Sequence, residues 1–481
     1  MSGEVIDVKK IRVGIMTMSD GREHIHKDML SVNRQYQADL ATALEASGEI
    51  EAVCARKIIN SNAAAKEEGE YLLREEVEVT VFNYAIWCYP QYSVVATNFA
   101  PGPYVLFSNL HPSKCGMVGM LAASGSLEQL GIKHTRIWGD VSDYKVLGSI
   151  VSYIKAAVAV RRLRGLTFGN FGGRPLGMYT AVANPEQWQR LFGIDVENIE
   201  QEDIVRAGNA VSDDKVNSAL KWLEDRCSEV KYNGKNLTPE KLKLQIRSYY
   251  GLRNIIDRRG LDFIGIKAHG DVTENYVTMD VAEAFLNDPY DMDGPHEPIV
   301  AATEADMDGA LTMQIFKHLS GSPVLFADVR HYDADNDIWY FSNSGTHATF
   351  FAGGSFNPVN NLKNVKLLPE TEDYPAGGAS VWHIAKAGRV TLARLSRKNG
   401  QYRMTIVPAE FVRFEPEKEA VLAGVATPQW PVAFTRLKVS AEEFISKFPC
   451  NHIHGVYGDY VRELKNVADI LDIPCEIMDG N

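Results

Sequence analysis

The hydrophobic and polar positions of this chain change texture twice along its length. From Ile11 to about residue 166, short apolar runs alternate with longer segments whose apolar residues recur at helical spacing. The runs at 11–16, 53–59, 80–85, 104–107 and 134–138 read as strands, and those at 26–46, 63–75, 115–131 and 146–166 as helices. Such alternation predicts a doubly wound parallel sheet. A strand and a Gly-rich turn at 166–175 restart the pattern, a polar helix-forming region follows at 185–258, and a strand at 261–266 ends on Lys267. Beyond about residue 335 short β-rich runs take over, at 338–341, 380–384, 390–395 and 402–407, with Gly-rich or charged turns between them. The fold class expected is α/β, with two doubly wound parallel-sheet domains at 1–165 and 166–320. A C-terminal antiparallel, β-barrel-like domain at 321–481 completes it.

One stretch, Glu297 to Arg330, holds the most chemistry. Two apolar runs in it each end on a carboxylate, Glu304 and Asp328, and a segment of helical spacing at 310–319 lies between them. This reads as a strand–helix–strand unit with an acid at the C-terminal end of each strand, the edge where open α/β sheets bind ligands. Either acid taken alone is better explained as a helix N-cap or a solvated loop residue. Lys267 would be a third chargeable group at a strand end.

Length and composition narrow the class. At 481 residues the chain suits about three domains. A net charge of -12 argues against a nucleic-acid footprint. The six cysteines form no C-x-x-C pair, so neither a zinc site nor a disulfide framework is expected. The first ten residues lack the apolar core of a signal peptide, and the most apolar helix is interrupted by Lys155, Arg161, Arg162 and Arg164. A soluble cytoplasmic protein, with no nucleic-acid or membrane partner, is the expectation. No G-x-G-x-x-G follows the first strand and no G-K-[ST] occurs, so a dinucleotide or ATP site has little support.

Twelve histidines are present, and location must separate them. His452 and His454 stand two apart before a Gly-Val-Tyr-Gly turn, and in an extended segment they would point to one side. His347 occupies a loop of small residues. Two carboxylates and one imidazole, with positions left for solvent or substrate, make a workable site for Mn²⁺, Mg²⁺ or Co²⁺. An ion holding two neighbouring substrate oxygens acts as a Lewis acid, and flanking carboxylates could carry a proton between adjacent carbons. The same donor set also serves a mononuclear iron oxygenase.

Ser19-Asp20-Gly21-Arg22, Ile86-Trp87-Cys88-Tyr89, Ala302-Thr303-Glu304, Phe326-Ala327-Asp328-Val329-Arg330 and Asn451-His452 occur in an order that resembles the L-fucose isomerase family. These are metal-dependent aldose–ketose isomerases related in fold to L-arabinose isomerase. The resemblance covers most of the chain. It implies that Glu304, Asp328 and His452 bind Mn²⁺, with Mg²⁺ or Co²⁺ as substitutes. It also implies that Glu304 and Asp328 act as acid and base in a cis-enediol proton transfer between C1 and C2 of a monosaccharide. Arg22 and Trp87 would reach a neighbouring subunit's active site, which implies a homo-oligomer, a trimer or hexamer with shared sites. Asn451 accompanies the C-terminal metal histidine, for which His454 is the rival. His347 aligns with a metal histidine of the arabinose isomerases and stands as a fourth ligand or substrate contact.

Departures from the family bear on the substrate. Lys267 stands where the fucose enzymes have a glutamine that contacts sugar hydroxyls. An aromatic that reaches the sugar in those enzymes is missing near Gly377-Gly378-Ala379-Ser380; Trp382 and His383 would be its substitutes, and Trp430 would be a stacking wall. A lysine at the distal end of a sugar suits an anionic group, so an isomerase for an anionic aldose such as sulfoquinovose is one alternative. Pairing of Lys267 with a nearby carboxylate is equally open. The other alternative is a non-catalytic sugar-binding regulator on the same scaffold.

Overall fold

The computed structural model describes residues 10–480, so the polar N-terminal stretch lies outside the described residues except for Lys10. Two compact units result. One holds residues 10–161 with Arg462–Asp472, and the other holds Arg162–Val461 with 473–480.

In the smaller unit, β1 (Ile11–Met18), β2 (Ile50–Cys54), β3 (Val79–Tyr84), β4 (Tyr104–Ser108) and β5 (His134–Trp138) form one sheet in the order β2-β1-β3-β4-β5. All its pairings are parallel. Its strands read as continuous apolar runs because both faces are covered. Val13, Ile15, Val79, Val81, Val105 and Phe107 pack against helices Glu23–Glu45 and Tyr144–Leu163 on one face. Met16, Met18, Phe82, Tyr84 and Leu106 pack against helices Asn62–Arg74 and Gly116–Gln129 on the other. The expected second strand lies earlier than read: β2 ends at Cys54, and of the remainder Ile59 makes a single bridge to Met18.

In the larger unit the strands are β6 (Thr167–Phe171), β7 (Asp195–Ile199), β8 (Glu229–Val230), β9 (Phe263–Ile266) and β10 (Ala301–Thr303). Four of them make a parallel sheet in the order β10-β9-β6-β7. β7 and β8 fall inside the region read as helical. β7 is a polar edge strand, Asp-Val-Glu-Asn-Ile, with only Ile199 buried, so it lacks the apolar run by which a strand is recognised.

The chain then builds β11 (Leu325–Asp333), β12 (Ile338–Ser342), β13 (Lys366–Pro369), β14 (Ala379–Trp382), β15 (Gly388–Lys398), β16 (Gln401–Phe411), β17 (Val432–Leu437), β18 (His452–Tyr457) and β19 (Cys475–Ile477). Strands β15-β18-β11-β12-β17-β16 follow one another around a ring, and β16 pairs back to β15. Every pairing in the ring is antiparallel, and β19 adds to β16 in parallel. Closure leaves the six strands without free edges. β13 and β14 join β8 in a small separate sheet.

This topology corrects the strand–helix–strand reading around Glu304. β10 and β11 belong to different sheets, and Asp328 is the fourth residue of a nine-residue strand rather than its end. The apolar run before Asp328 stops because the strand changes from wholly buried to half-exposed, not because the strand ends.

Candidate metal centre

Glu304 is aimed by an unusual piece of backbone. It and Ala305 both have left-handed φ values, 57° and 45°, which cost non-glycine residues roughly 1–3 kcal/mol each. Asp306 N closes the turn by donating to Thr303 O at 3.2 Å, and two further contacts hold it. Ala305 N donates to Ile266 O at 2.8 Å, and Asp306 caps helix Met307–Ser320 by accepting from Gly309 N at 2.9 Å. A Cβ on Gly265 would lie 3.0 Å from Ala305 Cα, so the missing side chain there is what lets β9 come this close.

Asp328 and His452 come from neighbouring strands of the ring, directly opposite each other in the β11–β18 pairing. One ligand atom from each of Glu304, Asp328 and His452 lies within 4.8 Å of the others. His452 Nε2 is 3.4 Å from Glu304 Oε2 and 3.3 Å from Asp328 Oδ1, yet it has no hydrogen-bond partner. Asn343 Nδ2 donates to Asp328 Oδ2 at 3.2 Å and to Glu304 Oε1 at 3.5 Å, closing the opposite side.

The electrostatics fit a cation. Burial by itself would raise Glu304 and lower His452. Instead the imidazole holds Glu304 below the usual carboxylate range, and Asp306, Asp328 and Glu304 lift His452 well above the ordinary 6.5. A buried nitrogen facing two carboxylates without a hydrogen bond is a donor set for a divalent ion with oxygen and imidazole preference. The residues therefore fit a metal, and Glu304, Asp328 and His452 would hold it.

His452 and His454 do share a face of β18, flanking the ring of Phe326 at 4.7 and 4.8 Å. They differ in what they touch. His454 is buried and its Nε2 accepts from Arg394 Nη1 at 2.9 Å. Asn451 is exposed, with Nδ2 3.7 Å from Met178 Sδ. Lys267 directly follows β9, one step beyond the Ile266–Thr303 pairing, so it neighbours Glu304 along the sheet edge. Its ammonium has no ion pair or hydrogen bond among the described residues. His347 and His383 form a fully buried pair with ring centroids 5.9 Å apart, and His347 has no hydrogen-bond partner on either nitrogen. Neither belongs to the three-residue group. Trp430 is buried, donates to Glu370 Oε2 at 3.1 Å and lies under the Arg330 guanidinium. Arg22 and Trp87 are in the smaller unit, beyond the C-terminal ends of β1 and β3; Arg22 pairs with Asp20 at 2.6 Å.

Several residues at the centre were not anticipated. Asp306 accepts from His452 Nδ1 at 2.7 Å and pairs with buried Arg394 at 2.5 and 3.0 Å. Burial would raise Asp306, but Arg394 and His452 outweigh it and hold the carboxyl far below its ordinary range. A signal existed for both: Asp306 stands three before Gly309 at a helix start, and Arg394 interrupts the apolar strand Thr-Leu-Ala-Arg-Leu. On the Glu304 side, burial pushes Glu283 up to about 8, helped by the Glu304 charge against a Thr303 hydrogen bond. Tyr374 stacks on His269 and bonds Ser344 Oγ at 2.9 Å.

Comparison with known proteins bears on the family of the chain. The model of the L-fucose isomerase first N-terminal domain matches residues 10–165, and that of the L-fucose isomerase C-terminal domain matches residues 341–479. An L-fucose isomerase of Bacteroides fragilis (strain YCH46) is 24% identical over 96% of this chain and 92% of its own length. One from Streptococcus pneumoniae (strain Hungary19A-6) is 22% identical over the same shares. With both ends of the chain matched by domain models and relatives aligned along nearly all of it, the chain belongs to the L-fucose isomerase family.

Proposed function

We propose that this protein is a Mn²⁺-dependent aldose–ketose isomerase acting on a free monosaccharide at Glu304, Asp328 and His452. The observation that carries the reading is the convergence of these three side chains, with His452 Nε2 facing both carboxylates and bonded to neither. A bound divalent ion would stabilise negative charge on two adjacent sugar oxygens. One carboxylate of the pair removes the C2 hydrogen as a proton while O1 gains a proton, giving a cis-enediol. The O2 proton is then lost and C1 is protonated, so carbon and oxygen each pass one proton along. Asn343, donating to both carboxylates, keeps their oxygens oriented toward one point. Glu304 and Asp328, on either side of that point, supply the base and the acid.

The family relationship supports a homo-oligomer with sites shared between subunits, to which Arg22 and Trp87 would contribute, and a cytoplasmic setting. Among the described residues no helix is long and apolar enough to cross a membrane.

The test is a panel of neutral and anionic aldoses incubated with protein and Mn²⁺, with the ketose product read by NMR. Conversion that stops on thorough chelation and returns with Mn²⁺ is expected; conversion indifferent to chelation would overturn the metal role. A second reading, an anionic aldose as substrate, rests on Lys267, which neighbours Glu304 on the sheet edge with no partner among the described residues for its charge.

A further inference from the structure

Asp306 binds no substrate in the scheme above, yet it is the most heavily bonded carboxylate near the centre. Its Oδ2 accepts from His452 Nδ1 at 2.7 Å and from Arg394 Nη1 at 2.5 Å; its Oδ1 accepts from Arg394 Nη2 at 3.0 Å and from Gly309 N at 2.9 Å. It is fully buried, as is Arg394. Arg394 is fixed in turn by Thr180 O at 3.1 Å and by His454 Nε2 at 2.9 Å. The helix start, the guanidinium and the imidazole therefore all fix one carboxylate, whose remaining freedom to turn is small.

We infer that Asp306 is a positioning residue: it takes the Nδ1–H of His452 so that the Nε2 lone pair is presented between Glu304 and Asp328. This rests on the metal reading of that trio. The same network selects between the two histidines of β18. Arg394 donates to His454 Nε2 and so occupies the lone pair His454 would need, whereas His452 gives its proton side to Asp306 and keeps Nε2 unbonded. Carboxylates that orient metal-binding histidines in this way set ring orientation and basicity.

The test uses Mn²⁺ alone as the probe, titrated into metal-free full-length protein and followed by the EPR signal of the free ion. Asp306→Asn by itself would leave Arg394 buried without its counter-charge, so the informative variant is the double substitution Asp306→Asn with Arg394→Gln. It is expected to keep the wild-type circular dichroism and to bind Mn²⁺ about 10- to 100-fold more weakly. The visible bands of the Co²⁺-loaded protein should shift as well, a change that mere loss of stability would not produce. Asp306→Glu preserves the charge balance, and carries the same expectation if the double variant does not fold. His452→Ala should abolish Mn²⁺ binding. If His452→Ala loses the ion while the Asp306 variants bind it like wild type with unshifted Co²⁺ bands, the Asp306 inference is overturned and the metal reading stands. If His452→Ala binds Mn²⁺ like wild type, or wild type binds none, the metal reading fails and the inference falls with it.

Discussion

Asp328 and His452 are 124 residues apart in the chain and directly opposite each other in the β11–β18 pairing, with His452 Nε2 3.3 Å from Asp328 Oδ1. The alternation of the strands decides which residues take part. Leu325, Ala327 and Ile453 pack into the apolar core of the ring, so Phe326, Asp328, His452 and His454 fall on the other face. A slip of one residue in β18 would put Ile453 opposite Asp328 and bury neither histidine where it now lies.

Replacing Glu304 by Gln keeps the size of the side chain and removes its capacity to take a proton. Turnover should fall by about 10²- to 10⁴-fold with circular dichroism unchanged. Ketose formation by NMR under saturating Mn²⁺ is the measurement, and a variant with wild-type turnover would remove Glu304 from the chemistry.

Ala305 carries a left-handed φ of 45° beside Glu304. Ala305→Gly should leave stability unchanged or raise it by about 1 kcal/mol, as strain is relieved against the extra freedom of the unfolded chain. Ala305→Val, β-branched at the same φ, should cost a few kcal/mol by the same principle. Urea unfolding of the two variants reads the difference directly; equal midpoints would mean that the turn is not strained.

Lys267 offers a charge test of substrate class. If an anionic group is bound there, Lys267→Met should lower kcat/KM for an anionic aldose about 10- to 100-fold, the worth of a hydrogen bond to a charged group. A neutral aldose should suffer much less. Parallel losses on both substrates would argue for a general packing role.

His383 predicts a pH dependence of stability. Burial lowers it from 6.5 to about 4, and burial together with the neighbouring His383 holds His347 lower than its ordinary value. At pH above 6.5 both folded and unfolded states leave His383 neutral, and it costs nothing. Between 6.5 and about 4 the unfolded chain takes up a proton that the native state refuses, so stability falls as the pH drops. Each such histidine contributes up to about 1.4 kcal/mol per pH unit. Urea midpoints from pH 7.5 to 5 should therefore slope less steeply for His383→Gln than for wild type.

Much of this protein is legible in its sequence. The parallel sheet of the smaller unit follows from local pattern, because strands covered on both faces are apolar throughout and the helices between them keep helical spacing. The residue types at Glu304, Asp328 and His452, read with their order, carried the family resemblance. What local pattern missed were features without a local signature. β7 is a polar edge strand, and the left-handed turn at Glu304–Ala305 uses residues that ordinarily avoid it.

The tertiary structure alone shows how Glu304, Asp328 and His452 come together and what separates His452 from its rival His454. Glu304 arrives from the parallel sheet and Asp328 from the ring, although sequence spacing had suggested one sheet for both. His452 and His454 are equivalent by pattern, two apart on one strand. They become different only when Asp306 and Arg394, distant in the chain, each bond to one of them. Periodicity reports which side of a strand a residue faces; hydrogen-bond partners brought from other elements determine what its nitrogen is free to bind.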